Sequence, residues 1–166
     1  MKKILIAYAT MAGSTKEVAE TVGKELKQAG LDVDILPVEG VKSLSGYDAV
    51  VLGSAVRAFH LLPKTTRFLR KFKKSIQEIP FVAFLVCLVM TEDTPERRAT
   101  ATKFARPMAK VKQPMALGLF GGVMDPSKLT GYAYGMFKNH KLEDNRNWEK
   151  IKDWANELVT LLNNQA

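Results

Sequence analysis

Two hydroxyl side chains and a glycine lie close together near the start of the chain. Thr10, Gly13 and Thr15 follow an apolar run, Lys2 to Tyr8, and precede a stretch with helical periodicity. Gly13 allows a tight backbone turn, and threonine hydroxyls can donate to an anion. The first amides of a helix are unpaired and lie at the positive end of its dipole. This combination predicts that a phosphate group binds at the start of the helix.

This loop differs from the two best-known phosphate-binding motifs. No Gly-Lys-Ser/Thr follows it, so it is not a Walker A loop, and it lacks the G-x-G-x-x-G of dinucleotide binders. The hydroxyl-rich T-x-x-G-x-T spacing instead suits a terminal monophosphate. The alternative is a plain turn in which Ser14 caps the helix. The residues expected to hold the phosphate are Thr10, Met11, Ala12, Gly13, Ser14 and Thr15.

A second pair of polar side chains follows the third strand-like run, Asp48 to Gly53. Arg57 presents a planar guanidinium that suits an anionic ligand. His60 can accept or donate a proton near neutral pH. The alternatives are a solvated surface arginine and a loop histidine without a role. If these side chains act in a reaction, Arg57 and His60 are the expected catalytic residues.

A sheet must position these side chains, because strand-like and helix-like runs alternate along the chain. The strand-like runs are Lys2 to Tyr8, Leu31 to Pro37, Asp48 to Gly53, a strand within Pro80 to Met90, and Met115 to Gly121. The helix-like runs are Ser14 to Ala29, Thr65 to Gln77, Thr94 to Lys110 and Asn147 to Asn163. The alternation predicts an α/β fold, a doubly wound parallel sheet with helices on both faces. Ligands of such sheets bind beyond the carboxyl ends of the strands, where both polar groups fall.

No internal repeat or linker divides the chain, so residues 1–166 are expected to form one domain. Cys87 is the only cysteine, which excludes an internal disulfide and a cysteine metal cluster, and no metal site is expected. The longest apolar run, Phe81 to Met90, is too short to span a bilayer, and the first residues lack the features of a signal peptide. We therefore expect a cytoplasmic protein, at most peripheral to the inner face of the membrane.

The chain is basic, with 25 Lys and Arg against 17 Asp and Glu and a net charge of +8. This balance favours anionic partners. Lysines and arginines crowd the helix-like run from Lys64 to Lys74, between apolar residues. A solvated face is the simplest interpretation, and a membrane surface or an acidic redox partner is the alternative. Nucleic acid is not expected, because no recognised nucleic-acid module is visible.

The segment from Tyr8 to Thr15 resembles the FMN-phosphate loop of the flavodoxin family, and the elements follow the family's order over essentially the whole chain. The resemblance implies one non-covalently bound FMN and the strand order 2-1-3-4-5, for which flavodoxin is the standard example. It also implies that the flavin ring lies against the loops after strands three and four. There Gly53 and its small neighbours would let the backbone approach the ring, and a carbonyl could accept from the reduced flavin N5–H. The implied ring contacts are Ser54, Ala55, Val56, Arg57, Leu88, Val89 and Met90.

A narrower set of residues resembles the menaquinone-dependent protoporphyrinogen IX dehydrogenase branch of that superfamily. The set contains the G-x-x-x-R-x-x-H of Gly53, Arg57 and His60, and a Leu-Val pair followed by Pro-Glu-Arg-Arg. The resemblance implies an FMN-dependent oxidoreductase that oxidises a porphyrinogen-like small molecule and reduces a quinone. Residues Gly122 to Arg146 replace a longer basic and apolar insertion of that branch. They could grip a carboxylated macrocycle, lie on a membrane or form a packed surface helix.

Two other functions fit the same residues. One is a flavodoxin-type electron carrier that docks other redox proteins, and the other is a flavin-free domain that binds anions or membranes. Carriers of the family usually sandwich the ring between aromatic side chains and are strongly acidic. Phe59 is the only aromatic residue in the loop after strand three, and the chain is basic, so an enzyme is favoured.

Overall fold

Five parallel strands form the centre of the structure, a computed structural model that describes residues 1–165. The strands in chain order are β1 (Lys3–Ala9), β2 (Asp32–Pro37), β3 (Ala49–Arg57), β4 (His60–Leu61), β5 (Phe81–Cys87), β6 (Leu117–Gly121), β7 (Val123–Met124) and β8 (Glu143–Asp144). The parallel strands lie in the order β2-β1-β3-β5-β6. This order confirms the predicted 2-1-3-4-5, with β5 and β6 as its fourth and fifth strands. The short β4 pairs antiparallel with β3, and β7 and β8 form a separate two-stranded ribbon.

The central strands are buried on both faces of the sheet. Every residue of β5 is buried, and so is every residue of β1 after Lys3. Alternate side chains therefore enter two different cores, as near-continuous apolar runs predict. Leu5 belongs to the core under one helical layer, and its neighbours Ile4 and Ile6 belong to the core under the other.

Seven helices cover the sheet or lie at its edge. They are α1 (Ser14–Gln28), α2 (Pro63–Lys71), α3 (Lys73–Glu78), α4 (Pro95–Phe104), α5 (Arg106–Val111), α6 (Gly131–Phe137) and α7 (Trp148–Asn163), within residues 1–165. Helices α1 and α7 pack on one face of the sheet, and α2 to α5 pack on the other. Three short 3₁₀ turns, Val38–Gly40, Leu88–Thr91 and Pro126–Lys128, connect these elements.

Two of the predicted helices are each divided in two. The chain turns at Phe72 between α2 and α3, where the Phe72 ring is buried 4.9 Å from the ring of Phe68. It turns again at Ala105, because Pro107 lies in the first turn of α5, has no N–H and cannot continue α4. The expected start of α4 is confirmed, since the Thr94 side chain accepts a hydrogen bond from the Arg97 amide.

The segment from Gly53 to His60 was expected to be a loop, and the structure corrects this. Strand β3 continues to Arg57, and a two-residue turn at Ala58 and Phe59 returns the chain to β4. Both turn residues have positive φ, 49° and 65°. This is the geometry of the hairpin turns that match the twist of paired strands.

Gly53 has a packing role that the sequence pattern did not reveal. A Cβ at this position would overlap the ring of Phe84 on the neighbouring strand. The packing of Phe84 against its backbone therefore requires glycine at position 53, and the approach of a flavin to this backbone stays a prediction.

Residues 122–146, here called the crossover segment, leave β6 and reach α7. The segment contains β7, the turn Pro126–Lys128, α6 and β8. No residue of α6 is buried, and only Ala133 and Phe137 are half-buried, so the helix packs weakly on the rest of the protein. The Asn145 amide donates to the Gly122 carbonyl at 3.0 Å, which closes the base of the segment.

Candidate functional site

The loop from Thr10 to Thr15 lies at the carboxyl end of β1, beside the end of β3. Ala9 of β1 is in register with Ser54 of β3. The N-cap of α1 is Gly13, with φ of 95° and no side-chain cap, so Ser14 does not cap the helix as the alternative required. The first-turn amides of α1 are therefore left without intrahelical or capping partners. Thr10 accepts from the Gly13 amide at 2.9 Å, which leaves its own hydroxyl hydrogen available.

Thr15 is the most informative side chain of this loop. It is completely buried, and its Oγ1 has no hydrogen-bond partner within residues 1–165. Buried hydroxyls are nearly always paired, and an unpaired one costs about 1–3 kcal/mol. An oxyanion seated at the uncapped start of α1 is the kind of acceptor that this hydroxyl lacks.

Two cationic side chains reach the same loop. Arg57 Nη1 lies 3.2 Å from the sulfur of Met11, and Lys128 Nζ lies 3.0 Å from the Ala12 carbonyl oxygen. A thioether is a weak acceptor, so most of the Arg57 donors remain available to a ligand. Sequence reasoning selected Arg57. It did not place Lys128 here, because Lys128 is 116 residues from Ala12 and no local pattern connects them.

Arg146 links the end of the crossover segment to α1 through a salt bridge. Its Nη1 lies 2.6 Å from Glu17 Oε2, its Nη2 lies 2.7 Å from Asp144 Oδ2, and its guanidinium stacks on Trp148 at 4.7 Å. The guanidinium lowers the pKa of Asp144, and hydrogen bonding to Asp144 raises the pKa of Arg146. Because its donors are engaged by carboxylates, Arg146 is a structural anchor that sequence reasoning did not find.

Arg57 and His60 are directly opposite each other across the hairpin. Opposed residues of an antiparallel pair place their side chains side by side. Both residues are exposed, and Phe59 between them has 71% of its surface exposed. The structure therefore brings together the two predicted catalytic residues and the predicted phosphate loop at one edge of the sheet.

The expected ring contacts divide into exposed and internal positions. The parallel pairing of β3 ends at Ala55 and that of β5 ends at Cys87, and Val56, Arg57, Leu88 and Val89 lie just beyond it at this same edge. These four residues and Ala55 are not buried. Ser54 is fully buried, and its hydroxyl bonds Thr65 Oγ1 at 2.7 Å. Met90 is also buried in the core under α2 to α5. Neither the Ser54 hydroxyl nor the Met90 side chain is therefore offered to a ligand.

Two further groups near this edge have shifted pKa values. Hydrogen bonds from Arg98 and Lys150 lower the pKa of Asp93 to about 2, and this pairing fixes the chain after Thr91 to α4 and α7. Burial raises the pKa of the Cys87 thiol. Cys87 is thus a core side chain, as expected, and not a thiolate nucleophile.

A family model described as the flavodoxin domain matches residues 5–147. The chain belongs to the flavodoxin domain family. A relative named protoporphyrinogen IX dehydrogenase [quinone], from Escherichia coli strain K12, is 25% identical over 175 residues that cover 96% of each chain. Family and relative together support a flavoprotein oxidoreductase, although the family also contains carriers.

Solved structures of other proteins have the same fold. The flavodoxin of Streptococcus pneumonia TIGR4 superposes with a TM-score of 0.63 at 16% identity, covering 96% of this chain and 99% of that one. An oxidoreductase from Corynebacterium diphtheriae gives a TM-score of 0.64 at 14% identity, covering 100% and 99%. Within residues 1–165 of this flavodoxin-domain protein, no helix has the length and apolar content to cross a membrane.

Replacing Thr15 by valine should stabilise the ligand-free protein. The substitution removes an unpaired buried hydroxyl and keeps the branched shape, so the free energy of unfolding should rise by about 1 kcal/mol. Urea denaturation of ligand-free protein measures this change. Thr21→Val is the matched control on the same helix, at a partly exposed position where little change is expected. A clear loss of stability in Thr15→Val would mean that the hydroxyl has a partner in the ligand-free protein.

Proposed function

We propose that this protein is an FMN-dependent oxidoreductase whose Thr10–Thr15 loop binds the FMN phosphate. The observation that carries the proposal is the unpaired, fully buried Thr15 hydroxyl at the uncapped start of α1. Bound FMN would supply the electron-accepting chemistry. The phosphate oxygens would accept hydrogen bonds from the first-turn amides of α1 and from the hydroxyls of Thr10 and Thr15.

The ring of the cofactor would lie against the ends of β3 and β5. Val56 and Arg57 on one side, and Leu88 and Val89 on the other, are the predicted contacts that the fold leaves accessible. Ala55 would contribute backbone at this edge. Ser54 and Met90 would support the wall from inside the core.

The protein should bind one FMN per chain without a covalent bond, and riboflavin much more weakly. Riboflavin lacks the phosphate, so it forms none of the charge-assisted hydrogen bonds of the loop. Thr15→Val should weaken FMN binding by about 1–3 kcal/mol and leave riboflavin binding nearly unchanged. Quenching of flavin fluorescence measures both affinities, with Thr21→Val as control. Equal affinity of the wild-type protein for FMN and riboflavin would refute the phosphate loop.

We further infer that the substrate is a reduced, carboxylated small molecule of the porphyrinogen type and that the acceptor is a quinone. The name of the Escherichia coli relative supports this, and so do the side chains at the exposed edge. Arg57 has available donors that match a carboxylate, and Phe59 offers an apolar surface next to it. His60, opposite Arg57, would take up or release the proton that accompanies substrate oxidation.

An anaerobic assay tests the substrate class. Protoporphyrinogen IX should bleach the flavin of the FMN-loaded protein, and a menaquinone analogue should restore its colour. Arg57→Ala should lower kcat/KM about tenfold or more with FMN still bound, because a hydrogen-bonded ion contact to the substrate is lost. Arg67→Ala, an exposed arginine of α2, is the matched control. If the flavin stays oxidised with protoporphyrinogen but is readily reduced by a redox protein, the molecule is an electron carrier.

The charge of the molecule is concentrated on one face. Helices α2 to α5 carry eleven Lys and Arg against two Glu, whereas α1 and α7 carry five basic and six acidic residues. We infer that the basic face contacts an anionic bilayer, where a membrane quinone would be available. Each cation near such a surface contributes about 1 kcal/mol of attraction, and salt weakens it.

The protein should therefore sediment with vesicles that contain phosphatidylglycerol and not with pure phosphatidylcholine vesicles. High salt should release it. Arg70→Glu with Lys74→Glu, on the basic face, should abolish binding. Lys24→Glu with Lys152→Glu, on the opposite face, makes the same charge change and should retain binding. Equal loss of vesicle binding in both double variants would mean that binding depends on the net charge of the protein and not on one docking face.

A further inference from the structure

The crossover segment is fastened to the phosphate loop at two points. Lys128 donates to the Ala12 carbonyl, and Arg146 holds Glu17 and reaches the Ser14 carbonyl at 3.4 Å. Between these points α6 has no buried residue, and Tyr132 is 84% exposed. Contacts with residues 12–17 therefore help to position the segment, together with the pairing of β7 with β8 and the hydrogen bond between Asn145 and Gly122.

The two cations differ in how fully they are paired. Arg146 faces two carboxylates, those of Glu17 and Asp144. The Lys128 ammonium has three donors, and within the described chain only one of them is used, on the Ala12 carbonyl. Hydrogen bonds from Ser127 lower the pKa of the nearby Asp125, and the charge of Lys128 lowers it further, but no salt bridge within the described residues joins Asp125 to Lys128. Lys128 is thus an incompletely paired cation in contact with the phosphate loop.

The loop itself carries no charge. None of the residues from Thr10 to Thr15 has an ionisable side chain. A phosphate bound there would be dianionic or nearly so, and the Lys128 ammonium contacts the backbone of the same loop. Coulombic attraction between neighbouring opposite charges is large even near a protein surface.

We propose that Lys128 is a cationic ligand of the FMN phosphate, so that the bound phosphate fastens the crossover segment to the cofactor site. This role of Lys128 rests on the proposed FMN binding. The Lys128 ammonium would bridge the Ala12 carbonyl and a phosphate oxygen. The exposed aromatic residues of α6 would then be held in place by the cofactor, beside the edge where substrate arrives.

The first test compares affinities for FMN and riboflavin by fluorescence quenching. Lys128→Gln should weaken FMN binding about tenfold, the usual effect of losing a hydrogen bond between charged groups, and leave riboflavin binding unchanged. Lys128→Arg should restore most of the FMN affinity. Lys138→Gln removes an exposed lysine from the same segment and is the matched control, expected to bind FMN as the wild type does.

The second test follows amide hydrogen exchange in peptides from residues 122–146. FMN should slow exchange there more than saturating riboflavin does, and Lys128→Gln should remove this difference. Unchanged FMN affinity and unchanged protection in Lys128→Gln would overturn the role of Lys128 while the FMN site stands. Equal weakening of FMN and riboflavin would also overturn it, because the lysine would then support the fold and not the phosphate. A wild-type protein that does not bind FMN would instead overturn the proposed function.

Discussion

The parallel pairing of β1 with β3 determines where the other functional parts of this molecule can lie. Tyr8 is in register with Gly53, and Ala9 with Ser54, so the two strands end side by side. The chain after β1 must turn into α1 on one face, and the chain after β3 must turn towards α2 on the other. The loop that starts α1 and the hairpin that carries Arg57 therefore meet at one point of the sheet edge. The contact between Arg57 and Met11 is a direct result of this register.

The same register explains why the site includes an unfavourable group. Thr15 lies in the first turn of α1, where packing against the sheet removes its hydroxyl from water. A valine would pack as well and would avoid the unpaired oxygen. A polar group that weakens the ligand-free fold is typical of binding sites, because the ligand supplies the missing partner. The buried pair of Ser54 and Thr65 shows the contrast, since each of those hydroxyls has a partner within the protein.

Local pattern was sufficient to predict the fold and the position of the loop that starts α1. The apolar runs, the glycine at the start of α1 and the alternation of elements all act over a few residues, whereas phosphate binding by that loop stays a prediction. The packing role of Gly53 was not predicted because its partner, Phe84, is 31 residues further along the chain. The hairpin at Ala58 and Phe59 was missed because it lacks the Asn-Gly type of sequence that normally indicates such a turn. The break at Ala105 had a visible cause in Pro107, whereas nothing in the sequence near Lys128 indicates that it contacts Ala12.

The uneven charge of the two helical layers makes the molecule a permanent electric dipole directed across its sheet. In the field of an anionic surface, such a dipole experiences a torque and rotates before contact, so that α2 to α5 arrive first. The carboxyl ends of the strands lie along the strand direction, at right angles to that dipole. On such a surface the sheet edge that carries Arg57 and the Thr10–Thr15 loop would therefore face sideways, parallel to the plane of the headgroups. Reactants that diffuse laterally in that plane would reach the edge without any need for the protein to tilt or to insert.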